Sequence, residues 1–122
     1  MLANKTILIV EDIDSCCELI EEMLSELEVT ILVAKDGISA VNMCESNPSI
    51  DIVLMDILIP KLNGHEATRQ IKKIRKDLPV LVQTSYAMDG DEIKARQAGC
   101  DAYLTKPLNR IQLVETIQKL LT

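Results

Sequence analysis

The stretch that most limits how this chain can fold is residues 51–64, in which the apolar residues 52–55 run directly into the carboxylate of Asp56. Pro60 and Gly64 then break the run. A continuous apolar run is typical of a strand buried on both faces, as in a parallel sheet. An acid that ends such a strand would lie at the carboxyl edge of the sheet, where open α/β folds place their chemistry. On its own, Asp56 fits a helix cap or a solvated loop acid as well as it fits a functional residue. The residues at the ends of the other strands are needed to distinguish these interpretations.

Short apolar runs and amphipathic segments alternate along the whole chain. Runs rich in β-branched residues predict strands near residues 6–10, 29–34, 51–56, 79–84 and 101–105. Apolar residues three or four positions apart predict helices at residues 13–27, 38–45, 64–75, 89–98 and 110–121. Each strand and helix together take about 20 to 30 residues, the size of one right-handed βαβ unit. We therefore expect a five-stranded parallel sheet with helices on both faces, in a single domain over residues 1–122.

The apolar positions of these helices are expected to face the sheet. Ile13 and Leu19 fall on the apolar side of the first helix, and Ile111 falls on that of the fifth. The fourth helix carries only Ile93 and two alanines, so it should be the least firmly anchored element. Asp89 is in a position to cap the start of this fourth helix.

Charge and hydropathy limit the partners of the chain. A formal net charge of -6 disfavours direct binding to nucleic acid or to an anionic membrane, because both need a basic surface. A metal cation or a basic protein partner is compatible with this charge. No apolar stretch approaches the length that crosses a bilayer, so we expect no membrane insertion. Residues 1–5 lead directly into a strand and do not form a secretory signal.

Cysteine and histidine usage argues against a zinc site and points to a reducing compartment. The four cysteines form no Cys-x-x-Cys pair, and His65 is the single histidine of the chain. Structural zinc needs such pairs or histidines at ligand spacing. Free thiols in a protein without a secretory signal indicate the cytoplasm, which is the location we expect.

The residues that follow the predicted strands form a chemically coherent set. Glu11 and Asp12 follow the first strand, Asp56 ends the third, Thr84 ends the fourth and Lys106 follows the fifth. In a parallel sheet these ends meet at one edge, and three carboxylates there repel each other unless a cation neutralises them. Hard oxygen ligands of this kind suit Mg²⁺. We interpret the set as a site for phosphoryl transfer, with Asp56 as the in-line nucleophile and Thr84 as a hydrogen-bond donor to a phosphoryl oxygen.

Several of these segments have a familiar sequence, and over nearly its full length the chain resembles the receiver domain of two-component response regulators. The matching segments are Ile-Leu-Ile-Val-Glu-Asp at 7–12, Asp-Ile-Val-Leu-Met-Asp at 51–56, Pro60 with Asn63-Gly64, Gln-Thr-Ser at 83–85 and Ala-Tyr-Leu-Thr-Lys-Pro at 102–107. The resemblance implies a flavodoxin-like (βα)5 fold with the sheet order 2-1-3-4-5. It also implies that Asp56 is the phosphoacceptor and that Mg²⁺ is bound by Glu11, Asp12, Asp56 and the backbone carbonyl of Leu58.

The same resemblance assigns roles to the later strand ends. It makes Thr84 the switch hydroxyl, Lys106 the lysine that pairs with the phosphoryl group, and Tyr103 an aromatic rotamer switch. Members of the family often have a cis peptide before the proline that matches Pro107. The signal would pass from Asp56 to the face formed by the fourth helix, fifth strand and fifth helix, through which a homodimer could also form.

The partner implied by the resemblance is a histidine kinase or a histidine phosphotransfer domain, which donates the phosphoryl group. The segments 64–70 and 85–88 are most similar to receivers of hybrid sensor kinases, which would bring this domain to the cytoplasmic face of the membrane. Such a domain catalyses its own phosphorylation and dephosphorylation without being a stand-alone small-molecule enzyme. His65 is not expected to act as the phosphodonor, because the family uses a histidine of the partner.

Two departures from the family pattern concern the lifetime of the phosphorylated state. Leu58 and Tyr86, two residues after Asp56 and Thr84, stand where many relatives have polar side chains. An aliphatic and an aromatic side chain cannot orient an attacking water, so we expect slow self-hydrolysis. Two other functions remain open from the residues: a flavin carrier or Mg²⁺-dependent phosphatase on the same fold, and an interaction module with an inactive site.

Overall fold

The computed structural model describes residues 2–85 and 89–122, and it contains the five strands and five helices that the sequence predicts. The strands are β1 (Thr6–Val10), β2 (Thr30–Ala34), β3 (Ile52–Asp56), β4 (Val80–Thr84) and β5 (Ala102–Thr105). The helices are α1 (Asp14–Met23), α2 (Gly37–Ser46), α3 (Gly64–Ile74), α4 (Asp91–Ala98) and α5 (Arg110–Leu120). All strand pairs are parallel and the order is β2-β1-β3-β4-β5, so the predicted flavodoxin-like fold is confirmed.

Alternation along each strand sends side chains to two separate core layers. On one face, Leu8, Met55 and Val82 pack with residues of α2 and α3 and with Ala95 of α4. On the other face, Ile9 and Leu54 pack with residues of α1 and α5. β1, β3 and β4 are buried along their whole lengths, which explains why they read as continuous apolar runs.

Two predicted helix boundaries are wrong. Helix α1 ends at Met23 instead of continuing to residue 27, because the chain turns at residues 24–26 before β2. Helix α4 begins at Asp91, and Asp89 does not cap it: the N-cap is Gly90 with a φ of 81°. That left-handed conformation cannot be part of an α-helix and is readily adopted by glycine.

Several apolar side chains that were expected to face the sheet are exposed instead. Ile93 and Ile111 are 63% and 68% exposed, and Ile13 and Leu19 are each about half exposed. Ile13 precedes the first turn of α1, and the inward side of that helix is already formed by Cys17 and Ile20. No helix within residues 2–85 and 89–122 is long and apolar enough to cross a membrane.

Candidate functional site

Three carboxylates meet at the carboxyl edge of the sheet. Glu11 directly follows β1 and is fully buried, Asp56 ends the neighbouring β3 and is 6% exposed, and Asp12 is exposed. One oxygen from each of the three lies within 4.8 Å of the others. The register pairs Val10 with Met55, so the next residue of each strand delivers its acid to the same place. The structure thus brings together the three acids that the sequence proposes as a group.

Lys106 supplies the positive charge of the site. Its Nζ donates a hydrogen bond of 2.6 Å to Oε1 of Glu11 and lies 3.7 Å from Oδ2 of Asp56. The backbone holds the lysine at this edge, because the Lys106 amide donates to the Thr84 carbonyl at 2.8 Å. The Lys106–Pro107 peptide is cis, as the resemblance implied. In this arrangement Glu11 is the closer partner of the ammonium, and Asp56 is the more distant one.

Burial and repulsion make Asp56 a weaker acid than usual. The pKa of Asp56 is raised from its ordinary 3.8 to about 6, chiefly by burial and next by the negative charge of Glu11, while the positive charge of Lys106 opposes both effects. For Lys106, burial lowers the pKa, but the hydrogen bond to Glu11 and the charge of Asp56 outweigh it and raise the pKa overall. The site therefore carries more negative charge than its lysine neutralises.

The donor set fits a hard divalent cation. Three carboxylate oxygens within 4.8 Å of one another match the oxygen ligands and the charge that Mg²⁺ prefers. The metal would lie on Glu11, Asp12 and Asp56, and one open side is available because Asp12 is exposed. Leu58, the further predicted ligand through its carbonyl, is in the loop after β3 with a side chain that is 56% exposed.

The two proposed switch residues stand on neighbouring strands. Thr84 is buried at the end of β4, and Tyr103 is partly buried in β5, where it pairs with Val82. The hydroxyl of Tyr103 donates to Oδ2 of Asp91 at the start of α4. Tyr86, proposed as a determinant of phosphate lifetime, lies outside the described residues.

Two features of the site were not predicted from the sequence. Asp91 accepts hydrogen bonds from both Tyr103 and His65, a contact between residues far apart in the chain. Gly64 lies so close to β3 that a Cβ atom on it would be 2.3 Å from the carbonyl oxygen of Asp56. The sequence predicts that α3 begins at Gly64. The close packing of Gly64 against the backbone of Asp56 is visible only in the folded structure.

The family model of the response regulator receiver domain matches residues 7–118. The chain belongs to the response regulator receiver family. This receiver is similar to the polar-differentiation response regulator DivK of Brucella ovis, with 33% identity over 121 residues that cover 97% of each protein.

Solved structures of receiver domains are similar to this chain as well. The receiver domain of the sensor histidine kinase PA1611 from Pseudomonas aeruginosa PAO1 is 36% identical, with a TM-score of 0.89 over 98% of each chain. That structure holds a magnesium ion coordinated in its active site cleft. A CheY-like receiver from Methanospirillum hungatei JF-1 is 28% identical, with a TM-score of 0.90 over 98% of this chain and 94% of that one.

Proposed function

We propose that this receiver accepts a phosphoryl group from a phosphohistidine onto Asp56, with Mg²⁺, and passes the signal on through a change of its surface. The observation that carries the proposal is the buried Asp56 beside Glu11, Asp12 and Lys106. The chemistry fits a phosphoryl acceptor, because a carboxylate nucleophile sits among ligands for a cation and next to an ammonium group.

In the proposed reaction, a carboxylate oxygen of Asp56 attacks phosphorus in line with the histidine nitrogen of the donor. The O–P bond forms as the N–P bond breaks, and the imidazole leaves with the electron pair of that bond. Glu11, Asp12, Asp56 and the Leu58 carbonyl would hold Mg²⁺, which would supply positive charge to keep Asp56 ionised and to offset the phosphoryl charge. The site does not need a separate general base, because the nucleophile is already a carboxylate.

Lys106 and Thr84 act on the arriving phosphoryl group. The ammonium of Lys106 lies 3.7 Å from Asp56, so a short movement away from Glu11 brings it to a phosphoryl oxygen. Thr84, at the end of the adjacent strand, can donate a hydrogen bond from its hydroxyl to another phosphoryl oxygen. When Thr84 moves towards the phosphoryl group, Tyr103 would move with it and alter the face formed by α4, β5 and α5. A homodimer could also form through this face.

A small apolar cavity beside the acid is the surface where we propose that the phosphodonor binds. Cys16, Leu19 and Leu108 line a mostly apolar cavity together with Lys106 and Pro107. Lys106 lines this cavity and lies 3.7 Å from Asp56, so the cavity borders the proposed phosphoacceptor. We propose that a histidine kinase or a histidine phosphotransfer domain covers this surface during transfer.

The proposed function also bears on the protein and the compartment in which this domain acts. The 36% identity to a sensor-kinase receiver supports a hybrid-kinase origin, while DivK is named a response regulator. In either setting we propose that the domain acts in the cytoplasm, at the membrane face if it is part of a sensor kinase. Its four cysteines are free, which suits that compartment.

Replacing Leu58 with asparagine should shorten the lifetime of the phosphorylated protein by about tenfold, an effect on the barrier of about 1.4 kcal/mol. The exposed Leu58 side chain stands two residues after Asp56 and cannot orient a water molecule, whereas an amide can. The measurement is the decay of phosphoprotein after the donor is removed. Leu58→Met is the matched control, and equal lifetimes of all three proteins would contradict the role of Leu58 and, by extension, of Tyr86.

Phosphoryl transfer from a radiolabelled histidine phosphotransfer protein tests the proposed function. Wild-type protein with Mg²⁺ should take up label, and the Asp56→Asn variant and wild-type protein in EDTA should not. Asp77→Asn, which changes an exposed acid that precedes β4, at the opposite end of that strand from Thr84, is the control and should be labelled like the wild type. Equal labelling of Asp56→Asn would overturn the assignment of the phosphoacceptor.

A further inference from the structure

The carboxylate of Asp91 joins three elements of the fold. One oxygen accepts the hydroxyl hydrogen of Tyr103 in β5, and the other lies 3.2 Å from Nε2 of His65 in α3. Asp91 itself is the first residue of α4. The side chains of His65 and Asp91 are only 17% and 14% exposed, so water competes little for these hydrogen bonds.

Helix α4 has few other attachments near its start. Its buried residues are Ala95 and Ala98, both in its second half, while Ile93 is exposed. Gly90 at the N-cap provides no side-chain cap. The C-terminal half is held separately, since Arg96 donates to the Asp101 carbonyl at 3.4 Å. Within the described part of the chain, Asp91 is therefore the main side-chain link from the beginning of α4 to the sheet, through Tyr103, and to α3, through His65.

His65 connects this link to the neighbourhood of the phosphoacceptor. It follows Gly64, whose amide donates to the Ile57 carbonyl at 2.9 Å, directly after Asp56. The Nδ1 atom of His65 is buried and has no partner among the described residues, so Asp91 provides the hydrogen bond that orients the ring. Because a carboxylate only accepts, the Nε2 atom is the one that carries the proton in this contact.

The geometry points to Asp91 as a positioning residue that couples Tyr103 to helix α4, with His65 holding the carboxylate in place. The inference rests on the proposed function, because it concerns how a change at Asp56 reaches the α4-β5-α5 surface. When Tyr103 moves, a hydroxyl bound to Asp91 displaces the start of α4, whereas an unbound ring moves alone. Asp91 and His65 thus determine how far a movement of Tyr103 displaces α4, which is part of the surface that a partner contacts.

Beryllofluoride, which mimics a phosphoryl group on a carboxylate, provides the test when it is titrated with Mg²⁺ and followed by amide NMR. In wild-type protein, signals near Asp56 and along α4 should both shift. In Asp91→Ala and in Tyr103→Phe, the shifts along α4 should fall by about twofold or more while those near Asp56 persist. The double variant should lose no more than Asp91→Ala alone, because the change at Asp91 already removes the hydrogen bond that Tyr103→Phe removes.

Matched variants separate this role from helix stabilisation. Glu92→Ala also removes an acid from the first turn of α4, but the Glu92 carboxylate pairs with Arg96 on the surface, so coupling should be unchanged. Asp91→Asn keeps an acceptor for Tyr103 and should restore part of the α4 response, and His65→Ala should weaken it. Full α4 shifts in both Asp91→Ala and Tyr103→Phe would overturn the coupling role. Absence of any response near Asp56 in wild-type protein would instead refute the proposed function.

Discussion

In metal-free buffer at pH 8, the Asp56→Asn variant should be more stable to unfolding than the wild-type protein by about 3 kcal/mol. The cause is the raised pKa of Asp56, which is 3.8 ordinarily and about 6 in the folded protein, through burial and the charge of Glu11. The folded state therefore binds this proton more tightly than the unfolded chain does. The resulting stability is fully present below pH 4 and is lost as the pH rises through about 6.

Urea unfolding of the two proteins between pH 4 and pH 8 measures this effect. The difference in unfolding free energy should be smallest near pH 4, where Asp56 is protonated in the folded state and only partly ionised in the unfolded chain, and should grow until the pH has passed about 6. Asp77→Asn, at an exposed acid, controls for the loss of one charge and should show no such growth. Saturating Mg²⁺ should raise the stability of the wild type at pH 8. A pH-independent difference between Asp56→Asn and wild type would contradict this account of the site.

Gly64→Ala should destabilise the protein by about 3 kcal/mol and disturb the phosphoacceptor at the same time. The added Cβ would lie 2.3 Å from the carbonyl oxygen of Asp56 and 2.7 Å from Cα of Ile57. Both are backbone atoms and cannot rotate aside as a flexible side chain does. Either β3 or the start of α3 has to shift, and the first of these moves Asp56 relative to Glu11.

Gly90→Ala is the matched control for this substitution. Gly90 has a φ of 81°, but in the described part of the chain no atom lies within 4 Å of an added Cβ. Its cost is therefore limited to the left-handed backbone, about 1 kcal/mol. Urea unfolding gives both free energies, and uptake of label from a phosphorylated donor reports on the site. Similar losses for the two variants would show that the packing of Gly64 against β3 has been overestimated.

The architecture was predictable because strand burial leaves a strong mark on sequence. β1, β3 and β4 are buried on both faces, so their apolar runs stand out in the sequence, and the run of β3 is followed by Pro60 and Gly64. Parallel pairing then brings the strand ends together, and this is why Glu11, Asp12, Asp56 and Lys106 could be grouped before any contact was known. The order of the strands came from the resemblance to receivers, since periodicity alone does not order a sheet.

The features that the sequence did not predict depend on three-dimensional contacts. Ile111 has the spacing of an inward residue, yet Leu113 and Ile117 occupy the inward side of α5 and leave it exposed. The hydrogen bonds from His65 and Tyr103 to Asp91 span 26 and 12 residues, and no local sequence pattern predicts them. Lys106 also lies closer to Glu11 than to Asp56, at 2.6 Å and 3.7 Å, and the sequence cannot predict a difference in distance of this size.

The central claim is that Asp56 takes the phosphoryl group, and mapping the modified residue tests it most directly. Wild-type protein should be phosphorylated by a labelled phosphohistidine donor in Mg²⁺, and brief hydroxylamine treatment should then release the label, as expected for an acyl phosphate. Mass spectrometry of the hydroxylamine-treated protein should find the resulting hydroxamate at Asp56. A label that resists hydroxylamine, or a hydroxamate at Asp12 or Glu11 in place of Asp56, would contradict the account.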